Sequence, residues 1–213
     1  MANQLSGGYG LRPIGLVGSG VNSTGTTQYE IANNYTTAIY RGGIVIPLAG
    51  GTIAISDQAV APLGVLSGVQ YVDSTTKKPT WLNYWPGSNS VSVDTNHPVK
   101  AFVADNPMQL FQVATDATIT SRATALTAIF ANATLGTSAR SGSTDTGHST
   151  SALSVSSIAT TATLGLKIVG IVDDDANSDY SAAGIPLIVR LNAHYNSPNA
   201  RFDSQTTATT TGI

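Results

Sequence analysis

The amino-acid sequence predicts a mainly β protein: an antiparallel β-sandwich or barrel-like domain with one helix and an extended N-terminal arm. Three observations carry the prediction. Strand-length apolar runs recur along the chain and are broken by glycine pairs, as in TTAIYRGGIVIPLAGGTIAIS over residues 36–56. VKAFVAD (99–105) and MQLFQVAT (108–115) alternate apolar and polar positions, the period of half-buried antiparallel strands. Only ITSRATALTAIFANATL (119–135) carries a helical stripe, at Ile119, Ala123, Leu126, Ile129 and Phe130.

Residues 1–28 are glycine-rich and contain Pro13, so they read as an extended arm. Leu5, Tyr9, Leu11, Ile14, Leu16 and Val17 make that arm too apolar for a plain linker; such residues call for a groove, on this subunit or on another. A single β-rich domain follows over residues 29–195. YEIA opens it, and APLGVLSGVQYVD (61–73) reads as a strand pair kinked at Gly64 or Gly68. STTKKPTWLNYWPG (74–87) is a turn leading into an aromatic strand with Trp81, Tyr84 and Trp85, and SVSVD (90–94) is a further strand. Asn106-Pro107 forms the turn between the two alternating runs. Residues 136–163, nearly all Ser, Thr, Gly and Ala, cannot bury much apolar area and read as a long loop or poorly ordered insert. LGLKIVGIVDD (164–174) and GIPLIVRLNAHY (184–195) close the domain as two strands, and residues 196–213 form a polar, extended tail.

Composition bounds the function. Charged residues make up 10% of the 213-residue chain, against about 25% in ordinary soluble domains. Few Lys and Glu side chains would then need desolvating if the surface were covered by partners. The formal net charge is −2 and the ten Lys and Arg residues are scattered, so no phosphate-neutralising stripe exists and nucleic acid is not an expected partner. The chain has no cysteine, which removes disulfides, thiolate metal sites and cysteine nucleophiles. The start, MANQLSGGYG, has no basic and apolar leader pattern, and no run approaches the ~18 apolar residues of a membrane span. Synthesis in the cytosol and no membrane partner are the expectations.

The stretch LVGSGVNSTG (16–25) resembles a phosphate-binding loop only superficially. Gly20 and Gly25 have the P-loop separation, but Thr26 stands where that loop needs Lys. After Gly18 and Gly20, Ser23 stands where a dinucleotide fingerprint needs glycine. His97, His148 and His194 lie far apart in sequence, and neither a G-x-S-x-G elbow nor an H-E-x-x-H helix occurs. No catalytic residue and no cofactor is expected.

Two constellations leave alternatives open. Asp173, Asp175, Asn177 and Asp179 alternate as in the first half of a Ca²⁺ loop, but Ser178 and Gly184 occupy the glycine and bidentate-glutamate positions; a solvated hairpin loop explains the same residues. Trp81, Tyr84 and Trp85 suit either packing, in the core or at an interface, or a sugar-stacking platform.

GLRPIGLVGSGVNSTGTTQYEI, IYRGGIVIPLAGG, DNPMQLFQV and the KIVGIVDDD–LIVRLNAHY pair resemble virion structural proteins of tailed bacteriophages, nearest to the capsid decoration, or cement, group. The resemblance covers most of the chain outside the Ser/Thr-rich insert. It implies a homo-oligomeric protein, a trimer or dimer, on the capsid exterior, clamping neighbouring major capsid subunits without catalysis. On that reading Leu11, Pro13, Ile14, Leu16 and Val17 dock in apolar grooves, and Trp81, Tyr84 and Trp85 anchor the contact. A head fibre or tail subunit, or a carbohydrate-binding β-sandwich module, is the alternative.

Overall fold

The computed structural model describes residues 3–18, 25–56, 61–136 and 140–197. In chain order its strands are β1 (Arg12–Leu16), β2 (Thr27–Ile31), β3 (Ile44–Pro47), β4 (Ile53–Ile55), β5 (Gly64–Val72), β6 (Pro79–Leu82), β7 (Val99–Ala104), β8 (Gln109–Ala114), β9 (Asn132–Ala133), β10 (Leu166–Ile171) and β11 (Pro186–Leu191), with one short helix, α1 (Arg122–Thr127). They build two antiparallel sheets in a sandwich-like arrangement, not a closed barrel. The first sheet runs β1-β8-β11-β10-β9; the second runs β2-β7-β5-β3-β4, with β6 also on β5.

The two alternating runs are strands, as their period requires, yet they do not pair with each other. β7 lies between β2 and β5 in the second sheet, and β8 lies between β1 and β11 in the first. The turn at Asn106 is therefore an arch from one sheet to the other. Its carbonyl accepts from the Gln109 N–H at 3.0 Å and its side chain from the Met108 N–H at 2.8 Å. The segment 61–73 holds one nine-residue strand in place of a pair; the register slips between Leu66 and Gly68, so the kink is a bulge inside β5. Residues 90–94 form no strand; they join the sheet through a bridge from Val93 to Asp73 and pack Val91 and Val93 against the second core. The last two apolar runs do pair, as the β10–β11 hairpin.

The helix is six residues long, against the seventeen of the apolar pattern. Ser121 caps it by accepting from the Thr124 N–H. It stops because Phe130 takes a left-handed backbone, φ 72°, and donates its N–H to Ile168, after which Asn132 and Ala133 pair with β10. The buried side of this segment is Ile119, Ala125 and Ala128, while Leu126 and Phe130 face solvent. Small alanines let the helix lie close on β10, a fit that a stripe of large residues would not allow.

Two hydrophobic cores result. The first gathers Phe111, Val113, Leu166, Ile168, Leu187 and Val189 beneath Ile119, Ala125, Leu135 and Leu153. The second gathers Leu66, Val69, Val99, Ala101 and Val103 around Ile39 and Trp85. Neighbouring residues of one strand feed both: Ile44 and Val45 on β3, Val65 and Leu66 on β5, Ala104 and Val103 on β7. These strands are thus covered on both faces where the sheets meet. That explains the continuous apolar runs there.

The described part of the insert is packed. The Leu153 N–H donates to Ala114 at 2.8 Å, the Asp116 N–H donates to Leu153 at 2.9 Å, and Leu153 is fully buried. Ser149 and Ser151 are buried and hydrogen-bonded to each other at 2.7 Å. Serine hydroxyls satisfied locally can be buried, so poverty in apolar residues did not prevent order.

Candidate functional site

The residues expected to grip a partner fall into three environments. Leu11 and Trp85 are core residues, 1% and 0% exposed, and cannot reach a partner; this corrects their assignment as contacts. Trp85 donates its indole N–H to the Tyr35 carbonyl at 3.0 Å and meets Tyr71 edge-on. Burial of the largest side chain in the protein with its one polar atom satisfied accounts for it fully. Pro13, Leu16 and Tyr84 are half-buried, and Tyr84 stacks flat on Tyr40 at 5.3 Å. Ile14, Val17 and Trp81 face solvent.

The N-terminal segment lies against its own chain. β1 pairs antiparallel with β8, the Leu11 N–H donates to Gly42, and the Gly10 N–H donates to Ser151. Asn3 is buried and clasps Asp179: its Nδ2 donates to the Asp179 carbonyl at 2.9 Å, and its Oδ1 accepts from the Asp179 N–H at 3.1 Å. The groove that the apolar arm calls for is thus on this subunit for residues 3–13. Residues 19–24, also in the expected arm, lie outside the described residues, as do residues 198–213 of the expected tail.

The Asp173–Asp179 loop holds that clasp. Asp173 turns to Arg122 in a two-pronged ion pair, at 3.2 and 3.1 Å, and the guanidinium holds its carboxyl below the usual carboxylate range. Asp174 caps the 3-10 turn Asp175–Asn177. Asn177 is buried, with its Oδ1 accepting from the Leu5 N–H at 2.9 Å. The Asp179 carboxylate accepts from the Ser181 N–H and hydroxyl, which lower its pKa. The tight turn sends Asp173, Asn177 and Asp179 to three separate partners, Arg122, Leu5 and Ser181. Among the described residues no three His, Asp or Glu side chains group as metal ligands. The donor set does not fit a Ca²⁺ ion, and the loop's work is to fasten the N-terminal segment.

Among the described residues, three apolar surfaces remain exposed. On the outer face of the second sheet Trp81, 61% exposed, stacks on Phe102 with centroids 5.1 Å apart. The two residues stand on β6 and β7, on either side of β5. Gly68, opposite Phe102, has no side chain to separate them, and Gln70 lies between Trp81 and Lys100 in the cross-strand row. Phe102 was legible in the sequence, since the alternation of β7 puts it outward with Lys100. Its meeting with Trp81 was not, because sheet order decides it. The second surface follows β1, the outer strand of the first sheet among those described: Ile14, Val17 and Met108 are exposed, and the Val17 N–H donates to Met108 at 2.9 Å. A further exposed pair, Leu126 and Phe130, flanks α1.

The histidines sit in separate settings. His97 faces Asp94 at 3.6 Å, His148 bridges by its backbone to Arg41, and His194 is buried, with its Nδ1 accepting from the Asn196 N–H. No described residue of the chain forms part of a helix long and apolar enough to cross a membrane. Comparison of the chain with family models, with curated proteins and with solved structures finds no match. The likeness to phage virion proteins therefore rests on the sequence features alone.

Proposed function

We propose that the chain is a non-catalytic structural protein of a tailed-phage virion. On this reading it binds the outside of the capsid, where it clamps neighbouring major capsid subunits and associates with copies of itself as a trimer or dimer. One observation carries the reading: Trp81, 61% exposed, stands on an ordered sheet and stacks on half-buried Phe102. Exposed aromatics on ordered backbone are the usual centres of protein contact surfaces, because a flat ring covers much area with little side-chain entropy to lose. The low proportion of charge supports it, and so does the resemblance stated above. Ile14, Val17 and Met108 offer a second apolar contact along β1. Many copies on one shell would multiply a modest contact by avidity.

A second reading has its own support. A stacked aromatic face flanked by Gln70 and Lys100 matches the chemistry of a sugar platform, whose rings cover the apolar sugar face while amide and ammonium groups meet hydroxyls. Co-sedimentation with emptied, expanded capsid shells of a candidate source phage separates the two, with unexpanded procapsids as control. Stoichiometric pelleting on expanded shells, lost in Trp81→Ala, is the expected result. Failure to pellet on either shell would overturn the decoration reading, and glycan binding lost in the same variant would replace it. Rings formed by the protein alone in gel filtration would direct the assignment to a tail subunit.

A further inference from the structure

A cleft of about 530 Å³ opens where the two sheets meet, and its chemistry differs from that of the exposed apolar surfaces. Segments distant in sequence build it: Tyr9–Pro13 on one side, Arg41 and His148 on another, and Leu66, Ala104 and Gln109 at the base. Backbone pairing fixes the parts. The Leu11 N–H donates to Gly42 at 2.8 Å, the Arg41 N–H to Gly147 at 2.9 Å, and the Ser149 N–H to Arg41 at 2.8 Å, which sets Arg41 beside His148. Gln109 is buried, and its side-chain amide is anchored to the Gly15 carbonyl at 2.7 Å.

The lining contains two arginines and a histidine and no carboxylate. The Arg12 guanidinium lies over the Tyr9 ring, 4.9 Å from its centroid, a contact that holds the cation in place without neutralising it. Among the described residues neither Arg12 nor Arg41 forms an ion pair. Two carboxylates of adjoining segments, Asp105 beside the lining residue Ala104 and Asp174 whose field reaches Tyr9, hold other partners. Asp105 accepts from Thr27 at 2.8 Å and from Tyr29 at 2.6 Å, and Asp174 accepts from Ala176 and Asn177. Two unneutralised guanidiniums facing a cleft in a chain with only ten Lys and Arg residues are an unusual expense of positive charge. Burying Leu11, Leu66 and Ala104 beneath them gives the cleft an apolar floor and a cationic rim. Its volume falls within the 300–1,000 Å³ of ordinary ligand sites.

We propose that this cleft is a binding site for an oxyanion, a carboxylate or a phosphate, held by Arg12 and Arg41 with the His148 ring beside them. Guanidiniums take either group through paired N–H donors, so the shared chemistry is the planar or tetrahedral oxyanion. The site is independent of the shell-binding surface, because Trp81 and Phe102 take no part in it.

The test uses the full chain in solution with no shell present. Backbone amide shifts are followed by NMR while inorganic phosphate or glutarate is added up to about 20 mM, enough to reveal a dissociation constant in the millimolar range. Saturable shifts at Tyr9, Arg41, Gln109 and His148 are expected with at least one of the two probes. Phosphate alone or glutarate alone then names the source of the anion. Arg12→Gln and Arg41→Gln should each weaken binding about tenfold, the loss of one charge-assisted contact. Both side chains are exposed, so the variants keep the fold, which an unchanged melting temperature verifies. Lys78→Gln, an exposed cation outside the cleft, should leave binding unaltered. Absence of saturable shifts with both probes, or equal binding by the double arginine variant, overturns the proposal.

Discussion

Trp81 and Trp85 stand four residues apart and meet opposite fates, one 61% exposed and the other fully buried. Trp85→Ala should destabilise the fold by about 3–5 kcal/mol, the cost of emptying a large buried site. Trp81→Ala should change stability by less than about 1 kcal/mol while removing partner binding; chemical denaturation of both variants checks the contrast. Glycine has a clear residue-level role at Gly87, where φ is 92° and a Cβ would lie 2.2 Å from the Thr36 carbonyl oxygen. His194 is buried, so its charge state bears on stability. Burial pushes its pKa down, and the field of Asp105 offsets this only in part. The unfolded chain therefore binds the proton more readily than the folded one. Its contribution is complete above the ordinary value of about 6.5 and is lost as pH falls from there toward the lowered folded value. Urea midpoints should decline between about pH 7 and 5.5, and His194→Gln should flatten that slope. An unchanged slope would show that His194 does not carry the effect.

At the scale of elements, β1 is the piece whose behaviour differs most from the arm expected of a glycine-rich leader. Glycine and proline set its freedom in isolation, but Leu11 in the first core, the β8 pairing and the Asn3–Asp179 clasp fix it in place. Deleting residues 3–16 should therefore expose the β8 edge and cause unfolding or aggregation, and not merely loss of partner binding. Leu11→Ala should cost about 2–5 kcal/mol. A stable, soluble deletion variant with an unchanged far-ultraviolet spectrum would contradict this. The Asp-rich loop illustrates the same point. Its oxygens looked like ligands in sequence, and they act as capping and clasping groups because the 3-10 turn directs them to Arg122, Leu5 and Ser181.

For the whole molecule, the two cores share β3, β5 and β7 through side chains at adjacent positions. Removing one core would strip one face of the strands that support the other. Thermal unfolding should thus be a single transition, with tryptophan fluorescence, which reports the second sheet, coincident with circular dichroism, which reports both. Two separated midpoints would show that the sheets are independent units. The single transition would also fit a body stiff enough to present Trp81 and the Arg12–Arg41 cleft in fixed geometry.

The sequence by itself determined the mainly β class, the alternating strands β7 and β8, and the two closing strands β10 and β11. Each follows from a period of two residues, or from turn residues acting locally. Only the tertiary structure decided that β7 and β8 belong to different sheets, that the helical segment buries Ala125 and Ala128 and leaves Ala123 exposed, that Leu11 and Trp85 are core, and that Arg12, Arg41 and His148 line one cleft. Those outcomes depend on which segments meet across long stretches of chain, and on which large side chain wins the limited buried volume. Local pattern carries no information about either.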